Sequence, residues 1–178
     1  MGPSALQPLT ATAQPDDMTT ASETAGSVPT PTSPSRGRVV VGVDGSPQSK
    51  LALAKAVELA RETGAVLEPI IAWRYPMATS PYVLASWSPA EDAAATMRDC
   101  LREVFTADVP EWVKPSVAPG PAAHALIEAS KDAEIVVVGS RGHGGFAGLM
   151  LGSVSSACAE YAHCPVLVMR EPETAKKK

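Results

Sequence analysis

The spacing of apolar and polar positions changes character at Arg38. Before it, Pro, Thr, Ser and Ala dominate, the only charges up to Ser35 are Asp16, Asp17 and Glu23, and the apolar residues keep neither a helix nor a strand period. A stretch of that kind buries too little apolar surface to offset the entropy of ordering, so residues 1–36 are expected to form a disordered extension. After it, "RVVVGVDGS" is a short, β-branched, nearly continuous apolar run, the pattern of a strand buried on both faces. Ser46 then offers an N-cap and Pro47 a first helical residue. "QSKLALAKAVELARET" reads as a helix with Leu51, Ala54, Leu59 and nearby alanines on its apolar face, and Gly64 as its stop.

The same alternation continues down the chain. "AVLEPIIAW" is a second strand, with Pro69 pointing to a bulge or a weakly paired edge. A proline-punctuated loop leads to "SPAE", Ser88 to Glu91, a capping box with proline at its first helical position. The helix it opens is expected to run through Asp99 to about Thr106. "EWVKPSVAPG" is a weak third strand, and "PAAHALIEASKD" a helix begun by Pro121. "AEIVVVGS" is the clearest strand, "SVSSACAEYAHC" a last helix and "PVLVMR" a last strand, before a charged tail over residues 172–178. Strands alternating with helices of these lengths predict an α/β fold: a five-stranded parallel sheet, doubly wound and Rossmann-like, occupying residues 37–171. Such sheets bind ligands outside the carboxyl ends of their strands, at a switch point of the strand order.

Composition narrows the function. With two Phe, three Trp and three Tyr, packing falls to Ala, Val and Leu. The net charge is −4 and no basic stripe carries interleaved aromatics, which argues against a nucleic-acid surface. Lys176, Lys177 and Lys178 read as a solvated end. No apolar stretch approaches the roughly 20 residues of a membrane span, and no basic segment precedes an apolar one at the start, so a cytoplasmic location is expected. Cys100, Cys158 and Cys164, odd in number and widely spaced, fit a reducing compartment better than a disulfide framework or a zinc site. His124 reads as a packed helix residue, and His163 beside Cys164 lacks metal-site spacing.

The chemistry concentrates where glycine does. Gly139, Gly142, Gly144 and Gly145 follow the apolar run ending at Val138, and Gly152-Ser153 precedes the last helix. Glycine-rich turns expose backbone N–H groups as an anion-binding nest, and a helix start adds oriented donors and partial positive charge. Arg141 and His143 bring charge and hydrogen bonds to the same loop, Ser153 a hydroxyl. No Gly-Lys-Ser/Thr occurs, so this is no P-loop, and the loose GxGxxA from Gly142 to Ala147 lies in the fourth strand–helix unit rather than the first. Asp44 ends the first strand, placed for ribose hydroxyls or a metal near phosphates. It could instead cap the following helix, but Ser46-Pro47 already supplies that cap.

Gly139-x-x-Gly142, nine residues, then Gly152-Ser153 resembles the G-2x-G-9x-G(S/T) signature of the universal stress protein family, in its ATP-binding branch. "VVVGVDGS" is similar to that family's first strand and "CPVLVMR" to its last, so the resemblance covers roughly Arg38 to Arg170. It implies an adenine-nucleotide fold of the adenine nucleotide alpha hydrolase-like kind, with ATP, alone or with magnesium, as ligand. It implies a homodimer paired through the last strand and a nucleotide-dependent regulatory role with an unidentified protein partner. Carried over, Gly42, Val43 and Asp44 would line the adenosine and Trp73 the adenine. Gly139, Ser140, Arg141, Gly142, His143, Gly144 and Gly145 would wrap ribose and phosphates, and Gly152, Ser153 and Val154 would hold the phosphates. No paired carboxylates or nucleophile elbow accompany them. A dedicated ATPase needs a group to orient water, so turnover is expected to be slow or absent; a slow hydrolase or phosphotransferase using Arg141 and His143 is the alternative.

Overall fold

The computed structural model describes residues 37–75, 87–106, 108–142 and 150–171. The expected N-terminal extension, the charged tail, and His143, Gly144 and Gly145 lie outside the described residues. Among the described residues there are five strands: β1 (Arg38–Gly42), β2 (Val66–Trp73), β3 (Ser116–Pro119), β4 (Ile135–Gly139) and β5 (Val166–Met169). Between them run α1 (Pro47–Thr63), α2 (Pro89–Val104), α3 (Ala122–Ala129) with a 3-10 turn at Ser130–Asp132, and α4 (Ser153–Tyr161). All pairings are parallel, in the order β3-β2-β1-β4-β5. The chain winds outward from β1 to β3, then returns to lay β4 on the other side of β1. The reversal between β1 and β4 is the switch point.

The central strands are buried on both faces, as their apolar runs require. Val39, Val41 and Val43 face α1 and α2 and pack with Ala52, Leu53, Ala56, Val57, Met97 and Leu101. Val40, Val136 and Val138 face α3 and α4 and pack with Leu126 and Cys158. Among the described residues no helix is long and apolar enough to cross a membrane.

The caps fall where local chemistry places them. Ser46 Oγ accepts from Ser49 N (3.3 Å) and Pro47 opens α1. Gly64 ends it at φ 69°, a conformation that costs glycine no Cβ clash. Ser88 Oγ accepts from Glu91 N (3.3 Å) at the start of α2, which stops at Val104, two residues short of the expected end.

Two expectations are corrected. The buried stripe of α1 is Ser49, Ala52, Leu53, Ala56, Val57 and Ala60. Leu51 is 37 % exposed and Ala54 is exposed, while Leu59 only flanks the core. Small residues at i, i+3 and i+4 let the helix lie close on the sheet, and that outweighs the greater apolar area of Leu51. Pro69, in turn, is neither in a bulge nor on an edge; it is buried in an interior strand, in register with Val41. Val66 N donates to Gly37 O (2.7 Å) and Ile70 O accepts from Val43 N (2.9 Å), both toward β1. Leu67 bonds the other way, donating to Trp112 O (2.9 Å) and accepting from Lys114 N (2.8 Å). By that alternation the Pro69 nitrogen faces β3, where pairing is interrupted between the Val113 bridge and Ser116. The missing donor falls in a gap of the ladder.

Candidate functional site

The carboxyl ends of β1 and β4 border a cavity of about 320 Å³ on the α3/α4 side of the sheet. Its floor is strand: Gly42, Ile70, Ala72, Val138 and Gly139. One wall is the start of α3, with Ala122 and Leu126; the other is the first turn of α4, with Gly152, Ser153 and Val154. Val43 and Asp44 close it from the β1 loop, Arg141 and Gly142 from the β4 loop.

Asp44 is fixed by the turn that follows it. Ser46 N (2.9 Å) and Ser46 Oγ (2.6 Å) both donate to its Oδ1, and its own N–H donates to Ser49 Oγ (3.3 Å). The carboxylate thus shapes the entry to α1 and still lines the cavity. Its Oδ2 lies so close to Gly142 that a Cβ there would overlap it, which is why position 142 has no side chain. Gly139 answers to a different neighbour. A Cβ on it would stand 2.8 Å from the backbone carbon of Gln48, so this glycine lets the first turn of α1 pass over the end of β4.

The first turn of α4 opens onto the cavity without a side-chain cap. Gly152, extended at φ −79° and ψ 170°, is the N-cap and makes no side-chain cap bond. A helix start leaves N–H groups without intrahelical partners and a partial positive charge. Ser155, buried, braces this wall: its Oγ donates to Ser140 O (3.1 Å) and Gly152 O (3.0 Å). Gly152 N also donates to Ser140 O (2.7 Å), while Ser140 N donates to Met169 O of β5 (2.7 Å). The Ser140 peptide therefore joins the β4 loop, the start of α4 and the last strand. Ser140, an expected site residue, sits behind the cavity wall rather than on its lining.

The structure brings Gly42, Val43, Asp44, Gly139, Arg141, Gly142, Gly152, Ser153 and Val154 to one cavity. Trp73 is not among them. Strand alternation turns Ile70 and Ala72 to the cavity, and Trp73 packs with the core on the opposite face, edge-on to Tyr75 with ring centroids 5.4 Å apart. Its place beside an adenine is thereby corrected: Ala72 occupies the cavity-facing position of β2. Ser49, Ile70, Ala122, Leu126, Val138 and Ser155 also line the cavity and were not anticipated. The period of two along "PIIAW" held the signal for Ile70 and Ala72; Ser155 is fixed only by its tertiary contact with Ser140.

The cysteines stand apart from this chemistry. Burial, and secondarily the neighbouring Cys164, pushes the Cys158 thiol up to about 11, and burial also raises Cys100 and Cys164. Among the described residues no group of three or more His, Cys, Asp or Glu side chains is arranged to hold a metal ion.

A model of the universal stress protein family matches residues 35–170. Universal stress protein Rv2623 of Mycobacterium tuberculosis is 36% identical over 149 residues, which are 79% of this chain and 48% of that protein. The chain spans about half the length of the curated relatives it matches. Among solved structures, the universal stress protein UspA of Lactobacillus plantarum superposes with a TM-score of 0.65 at 24% identity, covering 76% of this chain and 98% of the other. A universal stress protein solved in complex with cAMP superposes at 0.56 with 27% identity, over 75% of this chain and 95% of the other. Family model, relatives and the parallel five-stranded architecture agree, and the chain belongs to the universal stress protein family.

Proposed function

We propose that this chain is a cytoplasmic stress-response protein that binds an adenine nucleotide, ATP, between β1 and β4, and acts as a dimeric switch rather than a dedicated enzyme. The observation that carries the reading is the polarity of the cavity. Its inner surface is apolar at Ile70, Ala72, Leu126 and Val138, suited to a flat base. Its rim sets Asp44 on one side and Arg141 with the uncapped start of α4 on the other, suited to a ribose and to phosphates. The related structure holding cAMP supports an adenylate as the occupant. By the family resemblance His143, Gly144 and Gly145 would also contact the phosphates, and magnesium would enter with them.

Mass spectrometry of small molecules released from the purified chain, followed by calorimetry with ATP and magnesium, tests this. A released adenylate and saturable heat are expected; neither in a folded protein overturns the reading. A stoichiometric complex whose ATP stays intact for hours would exclude the alternative of a slow hydrolase.

The dimer is read from β5, an edge strand of half-buried apolar residues. Pro165 O and Met169 O accept from Val136 N and Ser140 N of the β4 segment, so residues 165, 167 and 169 bond inward and Val166 and Val168 present their N–H and C=O groups to the open edge. Val168→Pro removes one outward N–H and none that bonds β4. Sedimentation should show dimer for the unaltered chain at micromolar concentration and monomer for the variant; a monomeric unaltered chain would contradict the pairing.

A further inference from the structure

The described sheet ends in β3 on one side and β5 on the other, and the prolines of these two segments face opposite ways. At β3, Lys114 N donates to Leu67 O (2.8 Å) and Gly120 N to Trp73 O (2.8 Å), so residues 114, 116, 118 and 120 bond inward to β2. The outward positions are therefore Val113, Pro115, Val117 and Pro119. Pro115 and Pro119 have no N–H, and Val113 N already donates to Pro110 O (3.0 Å). A strand approaching along β3 thus meets an outward N–H only at Val117. Pro115 and Pro119 are exposed, with exposed Lys114 beside them, and proline and lysine are the residues that blunt a sheet edge. At β5 the proline falls the other way. Pro165 O accepts from Val136 N, so Pro165 faces β4, and Val166 and Val168 carry their N–H groups outward.

We infer that strand addition to this chain is confined to β5: Pro115 and Pro119 shut the β3 edge, so that assembly ends at a closed pair of copies. The closed pair rests on the β5 dimer proposed above; the closure of β3 rests only on the register of its prolines. Two open edges on one sheet would let β5 of one copy pair with β3 of the next, a head-to-tail contact that repeats without closing. Pairing β5 with β5 about a two-fold axis uses the open edge of both copies and leaves β3 at each end of the joined sheet. Without donors at positions 115 and 119, a third copy gains too few ladder bonds there to stay.

The test is sedimentation velocity of the full chain in its unaltered form, as Val168→Pro, and with Pro115→Thr and Pro119→Thr together in each background. Hydrogen exchange of residues 114–120 is read on any larger species. The unaltered chain should stay at dimer as concentration rises, and the threonine pair should add species above dimer. In the Val168→Pro background the threonine pair should drive monomer toward dimer, about fivefold in association constant per bond regained. Amides of 114–120 should exchange several-fold more slowly in the larger species. If the threonine proteins sediment as their parents do, or associate without slowing 114–120, the closure of β3 falls. An unaltered chain that itself grows past dimer with 114–120 slowed overturns it too. The β5 dimer is judged separately, on the unaltered chain: a monomer there overturns the dimer and leaves the closure of β3 to the threonine comparison. If the double change loses the parent's far-ultraviolet dichroism, Pro119→Thr alone carries the same readouts, since it restores one outward N–H.

Discussion

The two faces of the sheet share their strands and differ in what covers them. On one face α1 and α2, of 17 and 16 residues, lay Leu53, Val57, Met97 and Leu101 onto Val39, Val41 and Leu67, and the space is filled. On the other, α3 and α4 have eight and nine residues and bury few side chains of their own, chiefly Leu126, Ser155 and Cys158. There the strands end in Gly42 and Gly139 and the helices begin in Ala122 and Gly152. Side chains of that size leave open the wedge between α3 and α4. Protein interiors are otherwise close-packed, so the unfilled volume marks a division of labour: one face holds the fold, the other leaves room for a ligand.

The strongest way to break that comparison is to damage the filled face alone. Leu53 is fully buried in α1 between the helix and β1. Leu53→Ala should cost about 3 kcal/mol in urea unfolding, the transfer of the lost methylenes plus a cavity that cannot collapse. ATP affinity measured well below the unfolding midpoint should stay within about twofold. An equal loss on both readouts would mean the faces are not separable.

The two glycines of the β4 end divide in the same way. Gly139→Ala presses on the Gln48 backbone of α1 and should lower stability by about 2 kcal/mol, the range of overpacking. Gly142→Ala presses instead on the Asp44 carboxylate, whose position serves the cavity. It should cost about 1 kcal/mol of stability or less and about tenfold in ATP affinity. Urea melts beside calorimetry on the two variants should give opposite rankings; the same ranking in both assays would remove the distinction.

How much of this was legible in the chain depends on the range of the interaction. Ser46-Pro47, Ser88 with Glu91, and Gly64 were readable because a cap is made within four residues of itself. The glycine positions were legible as a cluster, but their reasons were not: Gly139 answers to Gln48, over 90 positions away in the chain, and Gly142 to Asp44. The face of α1 was misread because an alanine-rich helix offers two apolar stripes, and only the sheet decides that the Ala52–Leu53–Ala56–Val57 side goes inward. Trp73 was drawn to the site by its size and its place at a strand end. Counting inward in steps of two from Val138, Gly42 and their β2 neighbours requires the register, Val41 with Pro69 and Gly42 with Ile70, that only pairing supplies. Ser155 reads as any polar residue in a first helical turn until Ser140 is placed beside it.

The smallest expected effect is also the finest comparison, because each face carries one buried cysteine. Cys100 sits in α2 on the filled face and Cys158 in α4 on the cavity face, 2 % and 1 % exposed. Burial raises both thiols, Cys158 to about 11, so at pH 8 roughly one Cys158 in a thousand is thiolate and labelling waits on local opening. Opening is easier where fewer side chains interlock. In a Cys164→Ala background, which removes the most accessible thiol, a thiol reagent should reach Cys158 several-fold faster than Cys100 despite its lower exposure. Saturating ATP should slow Cys158 several-fold and leave Cys100 within about twofold, because the ligand would brace the first turn of the helix that carries Cys158. Raising the pH from 7 to 8 should speed both reactions several-fold, since the opened thiol titrates near its ordinary value of about 8.5 and each unit below that multiplies the thiolate fraction about tenfold. Equal protection of both cysteines would mean that the ligand acts on the whole fold, and that the sheet's two faces open together.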